Sequence, residues 1–181
     1  MVVVDPDDLK VGDHIYACRA AGYAHHGIYV GEVNGVSFVI HFNSTTNGGG
    51  VVGSVFTASR WSKNKACQVC GHVENVNLGV VKTCLDCFLK KDELQLQCYI
   101  GNSKPSNEVV KMAYNLLERG FGEYNIAINN CEHFATFCKK GEPYSGQVEN
   151  ASMMINLLPT GSLPFRLFDL YLSFRKQGNH R

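Results

Sequence analysis

The sequence predicts an α+β fold, an antiparallel sheet packed against helices, and three stretches carry that expectation. Tyr23 to Gly31 and Val36 to Phe42 alternate as strands around EVNG (Glu32 to Gly35), whose Asn-Gly pair favours a hairpin turn. After Pro105 and Ser106, the residues Val109, Val110, Ala113, Leu116 and Leu117 form one helical stripe that ends at Gly120. Asn129 and Asn130 then offer an N-cap to a second helix, in which Cys131, Phe134, Ala135 and Cys138 share a face before Lys139, Lys140 and a stopping Gly141.

Length and composition bound the classes. With 181 residues, 45% apolar and 18% charged, the chain is expected to fold as one compact domain with a proper core. A net charge of +1 supplies no global field for nucleic acid or an acidic membrane. MVVVDPDDLK lacks the apolar segment of a secretory signal, and no uninterrupted apolar run is long enough to cross a bilayer. Eight cysteines without an export signal point to the reducing cytoplasm and to thiol or metal chemistry.

Taken in order, LKVGDHIYACR (Leu9 to Arg19) turns at Gly12-Asp13 and continues as a short strand, expected at the sheet edge. In the Tyr23–Gly31 strand, alternation places His25, Gly27 and Tyr29 on one side and His26, Ile28 and Val30 on the other. Only one of the two histidines can then point at Cys131. His41, on the partner strand, lies across the hairpin. Asn43 to Ala66 is rich in Gly, Ser, Thr and Asn and reads as loop around VVGSVF, beside the histidine strands where a substrate mouth is expected. ELQLQCYIG (Glu93 to Gly101) alternates, with Leu94, Leu96 and Cys98 inward and Gln95 and Gln97 wet. Glu142 to Ser152 reads as polar loop. The apolar stretch beyond is broken by Pro159, Gly161, Pro164, Arg166 and Asp169. From Pro164 on, Leu167, Phe168, Tyr171, Leu172 and Phe174 cover one face of an amphipathic tail that packs on its own domain, binds a partner or lies at a membrane surface.

Two groups of residues carry chemistry. Cys131 at the positive end of a helix is placed where unpaired N–H groups and the macrodipole favour thiolate, and His25 or His41 can serve it as base. The competing reading is a buried cysteine acting as a small hydrophobe. The second group is Cys67-Gln-Val-Cys70 with Cys84-Leu-Asp-Cys87. Two C-x-x-C knuckles supply the four thiolates of a closed tetrahedral Zn2+ site, structural because no coordination position stays open. His72 is a secondary substitute ligand, and no βαβ pattern supports a redox-active pair.

GDHIYACR, HHGIYVG, VIHF and above all NNCEHF, in this order, resemble the lecithin retinol acyltransferase (LRAT) family from about Val11 to Gly141. The resemblance implies a circularly permuted NlpC/papain-like fold. It implies acyl transfer from phospholipid through a thioester on Cys131, with His25 as general base and His41 orienting it. His26 stands where relatives often carry an aromatic. The histidine pair is separated by 16 positions, longer than in the animal enzymes, which a longer hairpin explains. The cysteine-rich segment with TCLDCFL (Thr83 to Leu89) resembles the plant-type members. The expected organisation is a catalytic domain over 9–141, a zinc-binding insertion over 62–90 and a C-terminal extension over 142–181. The expected activity is acyltransferase or phospholipase-type hydrolysis of a lipid ester. The alternatives are a non-catalytic interaction module and a thiol peptidase or amidase. Expected partners are a phospholipid or other acyl ester, and a peripheral membrane or protein partner at the tail, with no nucleic acid.

Overall fold

A computed structural model describes residues 2–19, 23–43, 65–74, 76–125 and 128–157, with backbone alone at 2, 151–152 and 154–157. The loop around VVGSVF and the tail from Pro164 lie outside the described residues. The strands are β1 (Val2–Val3), β2 (His14–Cys18), β3 (Ala24–Val33), β4 (Val36–Phe42), β5 (Val80–Cys84) and β6 (Leu94–Leu96). The helices are α1 (Leu85–Leu89), α2 (Ser106–Arg119), α3 (Cys131–Lys140) and α4 (Gly146–Leu157). All strand pairs are antiparallel in one sheet of order β1-β6-β2-β3-β4-β5. The expected α+β class, with an antiparallel sheet against helices, is what the chain adopts.

The β3–β4 hairpin turns at Asn34 and Gly35, with φ of 53° and 76°. Both are left-handed, the conformation that an Asn-Gly turn accepts and that matches strand twist. A register shift between Tyr29 and Gly31 bends β3, and Gly31 takes φ 102° there.

The sheet is covered on both faces, and the two covers differ. Ile28, Ile40 and Phe42 face α2 and α3, where they pack on Val109, Ala113, Phe134, Ala135 and Cys138. Phe42, Phe121 and Phe134 meet edge to face, with ring centres 5.5 and 5.6 Å apart along that series. Phe42 and Phe134, fully buried, each contribute roughly 1.5–3 kcal/mol, and the half-buried Phe121 contributes less. The opposite face, with Ile15, Ala17, Tyr29 and Val39, lies under Leu85 and Phe88 of the short α1.

Three local expectations are corrected. Strand β2 lies inside the sheet, because β6 pairs along its outer side and β1 closes beyond it. Gln95 is buried although alternation faced it to water, since it pairs with Tyr16 on the face the helices cover. The stretch expected as polar loop becomes α4 from Gly146, anchored by Gln147 as described below.

Candidate active site

Cys131 opens α3, and the cap in front of it fixes the chain. The Asn130 side chain accepts hydrogen bonds from the Glu132 and His133 backbone N–H groups at 2.9 and 3.1 Å. The His133 ring in turn accepts from the Asn130 N–H at 3.3 Å, completing a capping box. Gly141, left-handed at φ 87°, ends the helix.

The faces of the sheet separate the residues that the chemistry would unite. Helix α3 lies on the Ile28 face, while His25 and His41 lie on the Phe88 face. They meet around the open end of β3. The Cys131 sulfur is 3.8 Å from the Ala24 carbonyl oxygen and 3.1 Å from the Tyr23 hydroxyl. The same hydroxyl lies 3.5 Å from His25 Nδ1. His25 Nε2 is 2.9 Å from His41 Nδ1, and His41 Nε2 is 3.2 Å from Thr83 Oγ1. Two tautomer patterns satisfy this run, because the hydroxyls at its ends both donate and accept; in the one that base chemistry needs, each ring donates from Nε2, His25 to His41 and His41 to Thr83. That leaves His25 Nδ1 as the acceptor facing Tyr23 and the thiol. Tyr124 completes the setting, with its hydroxyl 3.1 Å from that of Tyr23, bonded to the Cys131 sulfur and receiving the Cys131 N–H.

Electrostatics corrects one expectation. Burial pushes the Cys131 thiol up, although the Tyr23 and Tyr124 hydroxyls and the His26 N–H pull the other way. Burial, with His41 second, holds His25 well below the usual imidazole range, and His41 is lowered to about 3 by burial and the nearby His72, Lys90 and Arg19. The resting pair is therefore a neutral thiol and a neutral imidazole, because desolvation outweighs the helix end. Burial likewise raises the Tyr23 and Tyr124 hydroxyls, which remain protonated donors.

His26 points to the opposite face from His25, among buried polar groups. Gln147 Nε2 donates to His26 Nε2 at 3.1 Å, and His26 Nδ1 lies 2.8 Å from His14 Nε2. His14 Nδ1 reaches the Tyr99 hydroxyl at 2.5 Å. Gln147 also accepts from the Ala24 N–H at 2.8 Å and donates to the Glu132 carboxylate at 3.2 Å, tying α4 to the start of β3 and of α3. Tyr23, Tyr124, Thr83 and Gln147 went unread in the sequence. The only hint was a tyrosine two places before His25.

The four knuckle cysteines converge, with all four sulfurs within 4.8 Å of one another. The Cys67–Cys84 and Cys70–Cys87 sulfurs are 4.0 and 3.7 Å apart. Tetrahedral coordination with metal–sulfur bonds of about 2.3 Å needs about 3.8 Å between sulfurs, so the set fits one metal ion. Backbone N–H groups of Cys70 and Val69 lower the Cys67 thiol to about 6, whereas burial raises those of Cys84 and Cys87. His72 contributes its carbonyl to the knuckle, accepting from the Cys67 N–H at 2.8 Å, and is not one of the four converging groups.

Among the described residues no helix is long and apolar enough to cross a membrane. A model of the lecithin retinol acyltransferase family matches residues 7–144. Protein LEAD-SENSITIVE 1 of Arabidopsis thaliana is 37% identical over 158 residues, covering 75% of this chain and 59% of that protein. Human lecithin retinol acyltransferase is 38% identical over 53 residues, covering 29% of this chain and 22% of that protein. The chain thus spans under two thirds of the length of either relative. With the family's match running through the histidine strands, the cysteine knuckles and the Cys131 helix, the chain belongs to the lecithin retinol acyltransferase family.

Proposed function

We propose that the chain is a cysteine-dependent acyltransferase or phospholipase A-type hydrolase that takes an acyl group from a lipid ester onto Cys131. The observation that carries this reading is the hydrogen-bonded run from Cys131 through Tyr23, His25 and His41 to Thr83. In the first step the thiol proton passes to the Tyr23 oxygen as the tyrosine's own proton passes to His25 Nδ1, and the sulfur attacks the ester carbonyl. His41 spreads the positive charge that His25 acquires. The Cys131 N–H and the two tyrosine hydroxyls are the donors for the oxyanion. Collapse breaks the ester C–O bond, and the departing alkoxide takes the proton from His25. Water or an acceptor amine or alcohol then attacks the thioester with His25 removing its proton, the C–S bond breaks, and the Cys131 thiolate takes that proton back through Tyr23.

The order of the elements, histidine strands before the cysteine helix, supports a circularly permuted NlpC/papain-like relationship. The catalytic unit is read as 9–141, with 62–90 as an insertion that Cys67, Cys70, Cys84 and Cys87 fold around Zn2+. The extension over 142–181 is read as starting with α4, held on the domain by Gln147, and as ending in an amphipathic tail from Pro164 that brings the domain to a lipid surface from the cytoplasm.

One observation favours a second reading. Cys131 is wholly buried. A site closed in this way suits a protein-interaction module that keeps the fold without turnover. Release of fatty acid or transacylated product from a panel of phospholipids separates the two. The catalytic reading requires product from the native chain and none from Cys131→Ala or His25→Ala. No product from any phospholipid, ester or acceptor tested would leave the interaction module.

A further inference from the structure

We infer that the four-cysteine metal centre sets the geometry of the His25–His41 pair, so that metal loading controls the reactivity of Cys131. This rests on the catalytic reading above and adds its regulation. The link is built from two residues beside the knuckle. Thr83, fully buried and adjacent to Cys84, has its hydroxyl 3.2 Å from His41 Nε2. Phe88, adjacent to Cys87 and only 1% exposed, places its ring centre 5.3 Å from those of both His25 and His41. Phe88 is seated deeply because Gly27 leaves room for it: a Cβ there would stand 2.9 Å from Phe88 Cε2 and 3.2 Å from His41 Cβ. One side of each histidine is thus shaped by side chains that flank metal ligands.

The segment holding Phe88 cannot hold itself. Helix α1 has five residues, far below the length at which a helix is stable alone. Its C-terminal end is tied by Arg19, whose guanidinium donates to the Phe88 and Leu89 carbonyls and to the Asp92 carboxylate. Its N-terminal end has no side-chain cap; Cys84 occupies that position and Cys87 lies within the first turn. The β4–β5 ladder holds the backbone up to Cys84, and coordination of these two sulfurs together with Cys67 and Cys70 is the side-chain tie that carries the hold into the first turn. Without the ion, the sulfurs of Cys84 and Cys87 are partnered only by weak thiol contacts to the opposite knuckle. Thr83 and Phe88 are therefore positioning residues, and the metal holds them in place.

The test uses the full chain, labelled with 15N in its histidine rings, loaded with Zn2+, stripped by a chelator and reloaded. The His14–His26 pair, on the opposite face of the sheet, is the internal control. Stripping is expected to shift and broaden the His25 and His41 ring signals, leave those of His14 and His26 in place, and slow alkylation of Cys131 roughly tenfold, all reversed by Zn2+. In the loaded protein, Thr83→Val is expected to reproduce the His41 shift, and Thr83→Ser to restore it. Unchanged His25 and His41 signals in the stripped protein would overturn the coupling. So would collapse of all four histidine signals together, which would make the ion a staple of the whole domain. Absence of acyl transfer in the loaded protein would contradict the catalytic reading alone, because the ring signals decide the coupling without it.

Discussion

The Tyr23 hydroxyl stands between the Cys131 sulfur, at 3.1 Å, and His25 Nδ1, at 3.5 Å, and so joins two groups on opposite faces of the sheet. If a proton crosses there, Tyr23→Phe removes the crossing while keeping the ring that fills the space. Turnover is expected to fall about 100-fold, mostly in kcat, with stability lowered by about 1–3 kcal/mol, since the buried Cys131, His25 and Tyr124 groups all lose a partner. Steady-state kinetics alongside urea unfolding reads both. A variant that turns over normally would remove Tyr23 from the proton path.

Gly27 is the position where space decides. A methyl group there would lie 2.6 Å from Val39 Cγ1 as well as against Phe88 and His41. Gly27→Ala is expected to cost about 1–3 kcal/mol through overpacking, read as a lower urea midpoint. It should also displace the His41 ring, which a 15N spectrum reports.

The cap in front of the nucleophile is worth a measurable amount. Asn130→Ala loses the two bonds accepted from the Glu132 and His133 N–H groups while keeping the backbone N–H bond to the His133 ring, and should destabilise the fold by about 1–2 kcal/mol. Asn130→Asp, which preserves the acceptor, should recover most of it in the same denaturation experiment.

Acid should unfold the protein through its buried neutral histidines. Burial lowers His26 to about 4 and His14 well below the usual 6.5, with Glu132 opposing at His26 and Lys139 reinforcing at His14; Tyr16, Tyr99 and Gln147 are their other neighbours. In the unfolded chain both rings take protons near pH 6.5, while in the folded chain they stay neutral to lower pH. The unfolded state then binds more protons, so stability falls as pH drops from 6.5 towards 4, by roughly 1.4 kcal/mol per pH unit for each ring. Urea midpoints between pH 7.5 and 4.5 test this, and a flat profile would mean that the pair is solvated.

The parts of the site legible in the sequence are those fixed by local pattern. Asn130 before Cys131, Asn34-Gly35 between the histidine strands and the doubled C-x-x-C spacing each act within a few residues, and each appears where its pattern places it. The unread parts depend on contacts across the chain. Tyr23 meets Cys131 from 108 residues away, and Thr83 meets His41 from 42. Gln147 reaches His26 across 121 residues, which is why its segment read as polar loop before it became the start of α4. The sheet edge was misjudged for the same reason, since the short β6 that covers β2 carries only a three-residue pattern of its own.

Intact-protein mass spectrometry after incubation with a mixed phospholipid panel tests the central claim most directly. The expected result is an added acyl mass on the native chain that hydroxylamine removes and that is missing in Cys131→Ala and His25→Ala. An acyl mass that persists in Cys131→Ala would place the chemistry elsewhere, and no adduct together with no hydrolysis of the panel would contradict acyl transfer through this cysteine.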